Sequence, residues 1–324
     1  MGMTKDRFFN LKNIGIIRTD KLGDMILTLP MFKILKEINP NFRTILICSN
    51  YTAPIVQNIP FIDKVYFIEE ISIKEIHKTE KIDLIFFPRA NYKEAKEAFF
   101  AGIRYRVGTA FRVYSFLFNI KVKDHRKISE YNEAEYNARM ISHITKEIYK
   151  VELVKPYIKH NSDNFRKIIN DRKLIIIHPG SNGSAKDIPL EKWFIVIDEL
   201  LKYDYLIAIT GTKVEKEICD KLAEHSDDIL NYAGLLSLEE TMSLINYSVA
   251  LFANSTGILH IAAALDKFTI GFYPNSPHIG AARWRPYSGK SIIISPESGD
   301  DMNLINNEMI TERISKLNLI LSKD

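Results

Sequence analysis

The stretch SVALFANSTGILHIAAALDKFTIGF, residues 248–272, contains a complete strand, turn, helix and strand. Residues 248–252 are a short apolar run, Asn254-Ser255-Thr256-Gly257 forms a turn, and 257–265 has helical patterning with alanines that permit close packing. A second apolar run follows at 268–272. Such β-α-β units imply parallel strands covered by helices on both faces of a sheet.

The same alternation runs through the chain. Further strands are expected at 14–17, 44–48, 64–68 and 84–87, then at 174–178 and 205–209. Helical patterns occupy 24–38, 92–101, 190–202, 214–225 and 238–245. The pattern restarts near Leu174, after a helical stretch at 130–149 and a polar segment at 155–171. The expected fold is therefore α/β, with two doubly wound, Rossmann-like domains facing across a cleft. The expected divisions are 1–160, 161–305, and a last amphipathic helix within 306–324 that packs back on the N-terminal domain. In such sheets ligands bind beyond the carboxyl ends of strands.

Composition narrows the class. With 46% hydrophobic and 26% charged residues, the 324-residue chain is an ordinary globular protein of two-domain size. No apolar run approaches the ~20 residues that span a bilayer, and the N-terminus lacks the apolar core of a signal peptide, so a cytoplasmic protein is expected. Cys48 and Cys219 stand far apart in apolar contexts and read as buried free thiols. Residues 1–160 carry 27 Lys+Arg against 18 Asp+Glu, whereas 161–324 carry 17 against 22. The basic excess is densest at 89–127, with ten basic and three acidic residues. A basic half suits an anionic partner, or is simply a solvated face.

Several chemistries are disfavoured. Neither G-x-G-x-x-G nor G-x-x-x-x-G-K-[ST] occurs, and no His/Cys cluster has metal spacing. Four stretches remain. Arg18-Thr-Asp20-Lys-Leu-Gly23-Asp24 follows the first strand and opens a helix. His178-Pro-Gly-Ser181-Asn182-Gly183-Ser-Ala-Lys186 offers free N–H groups, hydroxyls and one point charge to a diphosphate. Ser255-Thr256-Gly257-Ile-Leu-His260 would aim amides and hydroxyls along a helix axis at an anion. The loop 273–287, rich in Pro, Arg and aromatics, could flank a ligand or merely close a domain. The residues alone equally allow Asp24 to be a helix cap, the 178–186 loop a generic turn and His260 a core histidine.

Taken in order, the motifs R-x-D-x-x-G-D, P-G-S…A-K, S-T-G-x-x-H-x-A-A-A and A-R-W-x-P-Y resemble the heptosyltransferases of lipopolysaccharide core assembly, glycosyltransferase family 9. The resemblance implies the GT-B fold, with an acceptor-binding first domain and a nucleotide-sugar-binding second one. It implies that Asp24 is the general base of an inverting displacement, which explains carboxylates at a strand mouth: they meet a hydroxyl, not a phosphate. Asp20 would shape that loop, and Arg18, Asp20, Arg89, Lys93, Arg104 and Arg106 would serve the acceptor. Lys186 would neutralise the departing diphosphate, with Ser181 and Asn182 on the donor phosphates, Glu215 on the ribose and Leu236 beside the base. Ser255, Thr256, Gly257 and His260 would hold the diphosphate where other glycosyltransferases use a metal ion. No cofactor and no metal are implied. The expected partners are ADP-heptose and an anionic glycolipid at the cytoplasmic membrane face, with no nucleic acid. One departure stands: the family commonly has Asp where this chain has Ser255, preceded by Asn254. That leaves open another nucleotide-sugar donor, a protein acceptor, or a nucleotide-sugar binder without turnover.

Overall fold

A computed structural model of the chain describes residues 3–158, 163–169 and 172–323. The chain divides into two compact units, Met1–Tyr157 and Ile158–Asp324. The expected boundary at 160/161, and part of the polar 155–171 segment, lie outside the described residues.

The first unit is a six-stranded parallel sheet of β1 (Asn13–Arg18), β2 (Arg43–Cys48), β3 (Lys64–Phe67), β4 (Leu84–Phe86), β5 (Tyr105–Thr109) and β6 (Ile120–Val122). Its spatial order is β3-β2-β1-β4-β5-β6, so the winding reverses between β1 and β4. The second unit repeats the plan with β7 (Lys173–His178), β8 (Tyr205–Ile209), β9 (Ile229–Asn231), β10 (Ala250–Asn254), β11 (Phe268–Phe272) and β12 (Ser291–Ile294). Its order is β12-β11-β10-β7-β8-β9, with the reversal between β7 and β10. Both sheets are doubly wound, in line with the expected α/β class.

The central strands are continuous apolar runs because helices cover both faces of a parallel sheet. Leu174–Ile177 and Ala250–Ala253 are buried throughout. On one face of the second sheet, Trp193 lies edge-on to Phe272, with ring centroids 5.1 Å apart. Truncating such a buried Trp to Ala costs about 3–5 kcal/mol. Both cysteines are buried and unpaired. Among the described residues, no helix is long and apolar enough to cross a membrane.

Two expectations are corrected. The helix read at 24–38 is two helices, Leu22–Ile26 and Pro30–Ile38. Pro30 lacks an N–H and starts a helix readily but cannot continue one. The last helix, Asn307–Leu321, expected on the N-terminal domain, buries its apolar stripe in the second unit. Ile310, Ile314, Leu317 and Leu321 form its buried stripe and join Trp193 and Leu200 in the second unit's core. The Tyr205 hydroxyl also donates to Asn318 Oδ1 at 2.8 Å.

Candidate functional site

The loop after β1 is built around a buried guanidinium. Arg18, 2% exposed, ends β1 and meets three carboxylates: Asp20 through Nε, Asp24 through Nη2, and Glu133 at 3.6 Å from Nη1. Burial alone would lower its pKa, but Asp24, Asp20 and Glu133 outweigh burial and raise it. The loop is pinned from several sides. Ser49 Oγ donates to the Thr19 carbonyl at 2.9 Å, and the Tyr51 hydroxyl donates to the Asp20 carbonyl. Asn137, on the helix Glu133–Thr145, donates to the Leu27 carbonyl at 3.0 Å and accepts from Arg126 at 3.0 Å. Asp24 therefore has little freedom.

Asp24 lies in the first turn of the helix Leu22–Ile26, whose N-cap is Lys21, so it does not cap the helix. Gly23 is buried in the same turn. Burial raises the Asp24 carboxyl to about 6; Arg18 opposes the shift, while Asp20 and Glu133 reinforce it. A carboxyl tuned there is mostly ionised at neutral pH and more basic than an ordinary one, which is what proton abstraction needs. Glu94, hydrogen-bonded by Thr19, is likewise raised by burial.

In the second unit the loops converge at the point where the strand order reverses, where open α/β sheets bind ligands. Asn254, fully buried at the end of β10, donates to the Pro179 carbonyl at 2.6 Å and accepts from Ile188 N–H at 3.1 Å. It thus clamps the β7 loop at both ends. Glu215, after β8, accepts from Asn182 N–H at 2.9 Å and from Thr212 N–H and O–H at 2.7 and 2.8 Å. A Cβ at Gly180 would meet that carboxylate, so a larger residue there would push Glu215 out of these bonds. Asn182 and Gly183 both have positive φ, 47° and 70°, and turn the loop outward.

Two buried polar atoms here have no hydrogen-bond partner among the described residues. Thr256 is the N-cap of the helix Gly257–Ala264, yet its Oγ1 makes no hydrogen bond, and neither does Nδ1 of His260 one turn on. Buried groups left unpaired cost stability unless something else satisfies them. They share this helix end with amide N–H groups, so an anionic ligand is the fitting partner. Burial lowers His260 to about 4, so it is a neutral ring at physiological pH. His178, at the end of β7, is also pushed down by burial and hydrogen-bonds Thr210 Oγ1 at 3.0 Å.

The other expected residues divide plainly. Ser181 is buried and bonded within its loop to Ala185, while Lys186 is exposed and paired to Asp300 at 2.5 Å. Ser255 is half-buried beside the hydroxyl of Tyr273. Leu236 is half-buried between β9 and the helix Leu238–Tyr247. Arg89 is exposed and 3.6 Å from Asp20, and Lys93 and Arg104 are exposed. Arg106 is a correction. Its buried guanidinium donates to the Ile103 and Leu117 carbonyls, so it supports the fold and is not open to an acceptor. Glu133, Glu94, Tyr51 and Asn254 were missed.

Residues 98–309 match the family model of glycosyltransferase family 9 (heptosyltransferase). A Haemophilus influenzae protein named only by class, as a glycosyltransferase, is 30% identical, with 91% of this chain and 92% of that protein covered. The chain belongs to glycosyltransferase family 9. A family relative, lipooligosaccharide heptosyltransferase 2 of H. influenzae, is 24% identical over 89% of this chain and 90% of its own length. The solved structure of Escherichia coli ADP-heptose lps heptosyltransferase II aligns with a TM-score of 0.77 at 20% identity, over 96% of this chain and all of that one. This likeness places the two doubly wound units in the GT-B class. The family match starts after the Arg18–Asp24 motif, so that motif stands on its geometry.

Proposed function

We propose that this family 9 enzyme transfers a heptose from ADP-heptose to a lipopolysaccharide core or a related anionic surface glycan, with inversion and without a metal ion. The observation that carries the reading is the Asp24 carboxyl, raised to about 6 and held in place by Arg18. Asp24 takes the proton from an acceptor hydroxyl as that oxygen attacks the anomeric carbon. The bond from that carbon to the diphosphate breaks, and ADP leaves with the electron pair. One in-line displacement needs one base and passes through no covalent intermediate.

The leaving diphosphate would be met by Thr256 Oγ1, His260 Nδ1 and the amides that begin the helix Gly257–Ala264, with Lys186 turning from Asp300 to supply a positive charge. Ser181 and Asn182 would line the phosphates. Leu236 and Glu215 would take the nucleoside, and Arg89 and Lys93 the anionic acceptor. ADP-heptose as donor follows the name of the E. coli relative. A glycolipid acceptor would place the reaction at the cytoplasmic face of a membrane.

The test is transfer by the purified chain to a heptose-deficient lipopolysaccharide, with ADP-heptose compared against UDP-, GDP- and CMP-sugars. Transfer from ADP-heptose that survives EDTA, giving the inverted product, is expected. Selective use of another nucleotide, or full loss in EDTA, would overturn the proposed donor or the metal-free mechanism respectively.

A further inference from the structure

Among the described residues, every exposed phenylalanine falls within 99–116: Phe99, Phe100, Phe111 and Phe116. Phe100 and Phe116 are 73% and 69% exposed, and Val113 between them in sequence is 99% exposed. Large apolar side chains gathered like this on a surface mark an interaction site. The fold brings them together. Arg106 lies over the Phe99 ring at 5.0 Å and donates to the Leu117 carbonyl at 2.8 Å, joining the end of the helix Tyr92–Phe100 to the turn Ser115–Leu117. Tyr92 and Tyr114 make a second link, with rings 5.5 Å apart.

The same stretch of the first unit is rich in cations. Of the ten basic and three acidic residues between 89 and 127, the acids are already engaged. Glu94 is buried against Thr19, Glu97 lies 3.4 Å from the Lys74 amide, and Asp124 is paired with Arg139. Lys96, Arg112 and Lys121 are exposed with no ion pair among the described residues. Apolar tips interleaved with unpaired cations suit the boundary of a lipid bilayer, where rings enter the headgroup–acyl layer and cations meet anionic headgroups.

We propose that this face of the first unit is a peripheral docking surface for an anionic membrane. A second copy of the chain is disfavoured because the positive face repels itself. A nucleic acid would have no stacking use for Val113. The inference names the surface at which a glycolipid acceptor would be met, and to that extent rests on the proposed function. Its test uses neither donor sugar nor acceptor, so the two can fail separately.

The full-length protein is mixed with phosphatidylcholine vesicles with and without one third phosphatidylglycerol, and the bound fraction is measured by flotation. Binding to the anionic vesicles alone, weakened by salt, is expected. R112A and K121A should each weaken it about fivefold, and the F100A/F116A pair should weaken it at least about tenfold. Each variant should melt with the parent, which separates lost docking from lost folding. Equal binding to neutral vesicles, undiminished binding by the variants, or retention of RNA but not of vesicles would overturn the proposal.

Discussion

Replacing Asp24 by Asn keeps the size of the side chain and a carbonyl that can still accept from Arg18, but removes the base. The carboxyl stands at about 6 against an ordinary 3.8. The ionised fraction then falls from about nine-tenths at pH 7 to about one-tenth at pH 5, so the parent's transfer rate at limiting acceptor should drop about tenfold across that interval. An ordinary carboxyl would leave the rate nearly level. The variant should lose at least about 100-fold at every pH while retaining stabilisation by ADP. Stability moves the other way. The raised pKa means that the folded state holds the proton more tightly than the unfolded one, so the stability it brings is full below about 3.8 and lost as pH rises through about 6. At neutral pH the ionised carboxylate therefore costs the fold on the order of 3 kcal/mol. Arg18 keeps Asp20 and Glu133 in the variant, so no buried cation is stranded. D24N should thus melt no lower than the parent at pH 7.5, with the difference shrinking toward pH 5. Transfer rates between pH 5 and 8 and paired melting curves decide it. A flat parental profile, more than a tenth of parental turnover in the variant, or a variant melting well below the parent would refute the reasoning.

The donor-side residues make separable predictions. T256V replaces an unpartnered hydroxyl by a methyl, so the unliganded protein should melt at or slightly above the parent, whereas ADP affinity should fall about five- to thirtyfold; undiminished ADP binding would remove the hydroxyl from the site. N254A strands the Pro179 carbonyl and the Ile188 amide and should cost about 2–4 kcal/mol in chemical denaturation, and an unchanged midpoint would show that the clamp is dispensable. K186A breaks only an exposed pair, so stability should change by less than about 0.5 kcal/mol. If Nζ meets a diphosphate, calorimetric ADP affinity should nevertheless fall about ten- to hundredfold; an identical titration would refute that role.

The doubly wound plan was legible because central parallel strands are apolar on both faces, and such runs stand out whatever surrounds them. The strands that went unread fail that condition. β5 carries Arg106, whose guanidinium turns back onto carbonyls of its own unit, so a charged letter hides a buried strand. β6, β9 and β12 are only three or four residues long and lie at sheet edges. The final helix shows another limit. Its stripe at 310, 314, 317 and 321 announced an amphipathic helix, but such a stripe is equally satisfied by any apolar surface within reach.

The site divides along the same line. Asp24, Thr256 and His260 were legible because each sits in a short local pattern at a strand end. What tunes them was not, because it comes from distant parts of the chain. Glu133 reaches Arg18 from a helix more than a hundred residues away, and Glu94 approaches the same loop through Thr19. With Asp20 and Asp24 these make four carboxylates, set among Arg18, Lys21, Arg89 and Arg126. Burial raises both Asp24 and Glu94, and at Asp24 the neighbouring Asp20 and Glu133 add to it against Arg18 and Lys21. The motif therefore supplies the carboxylate, whereas the charge balance that would make it a base depends on the folded first unit as a whole.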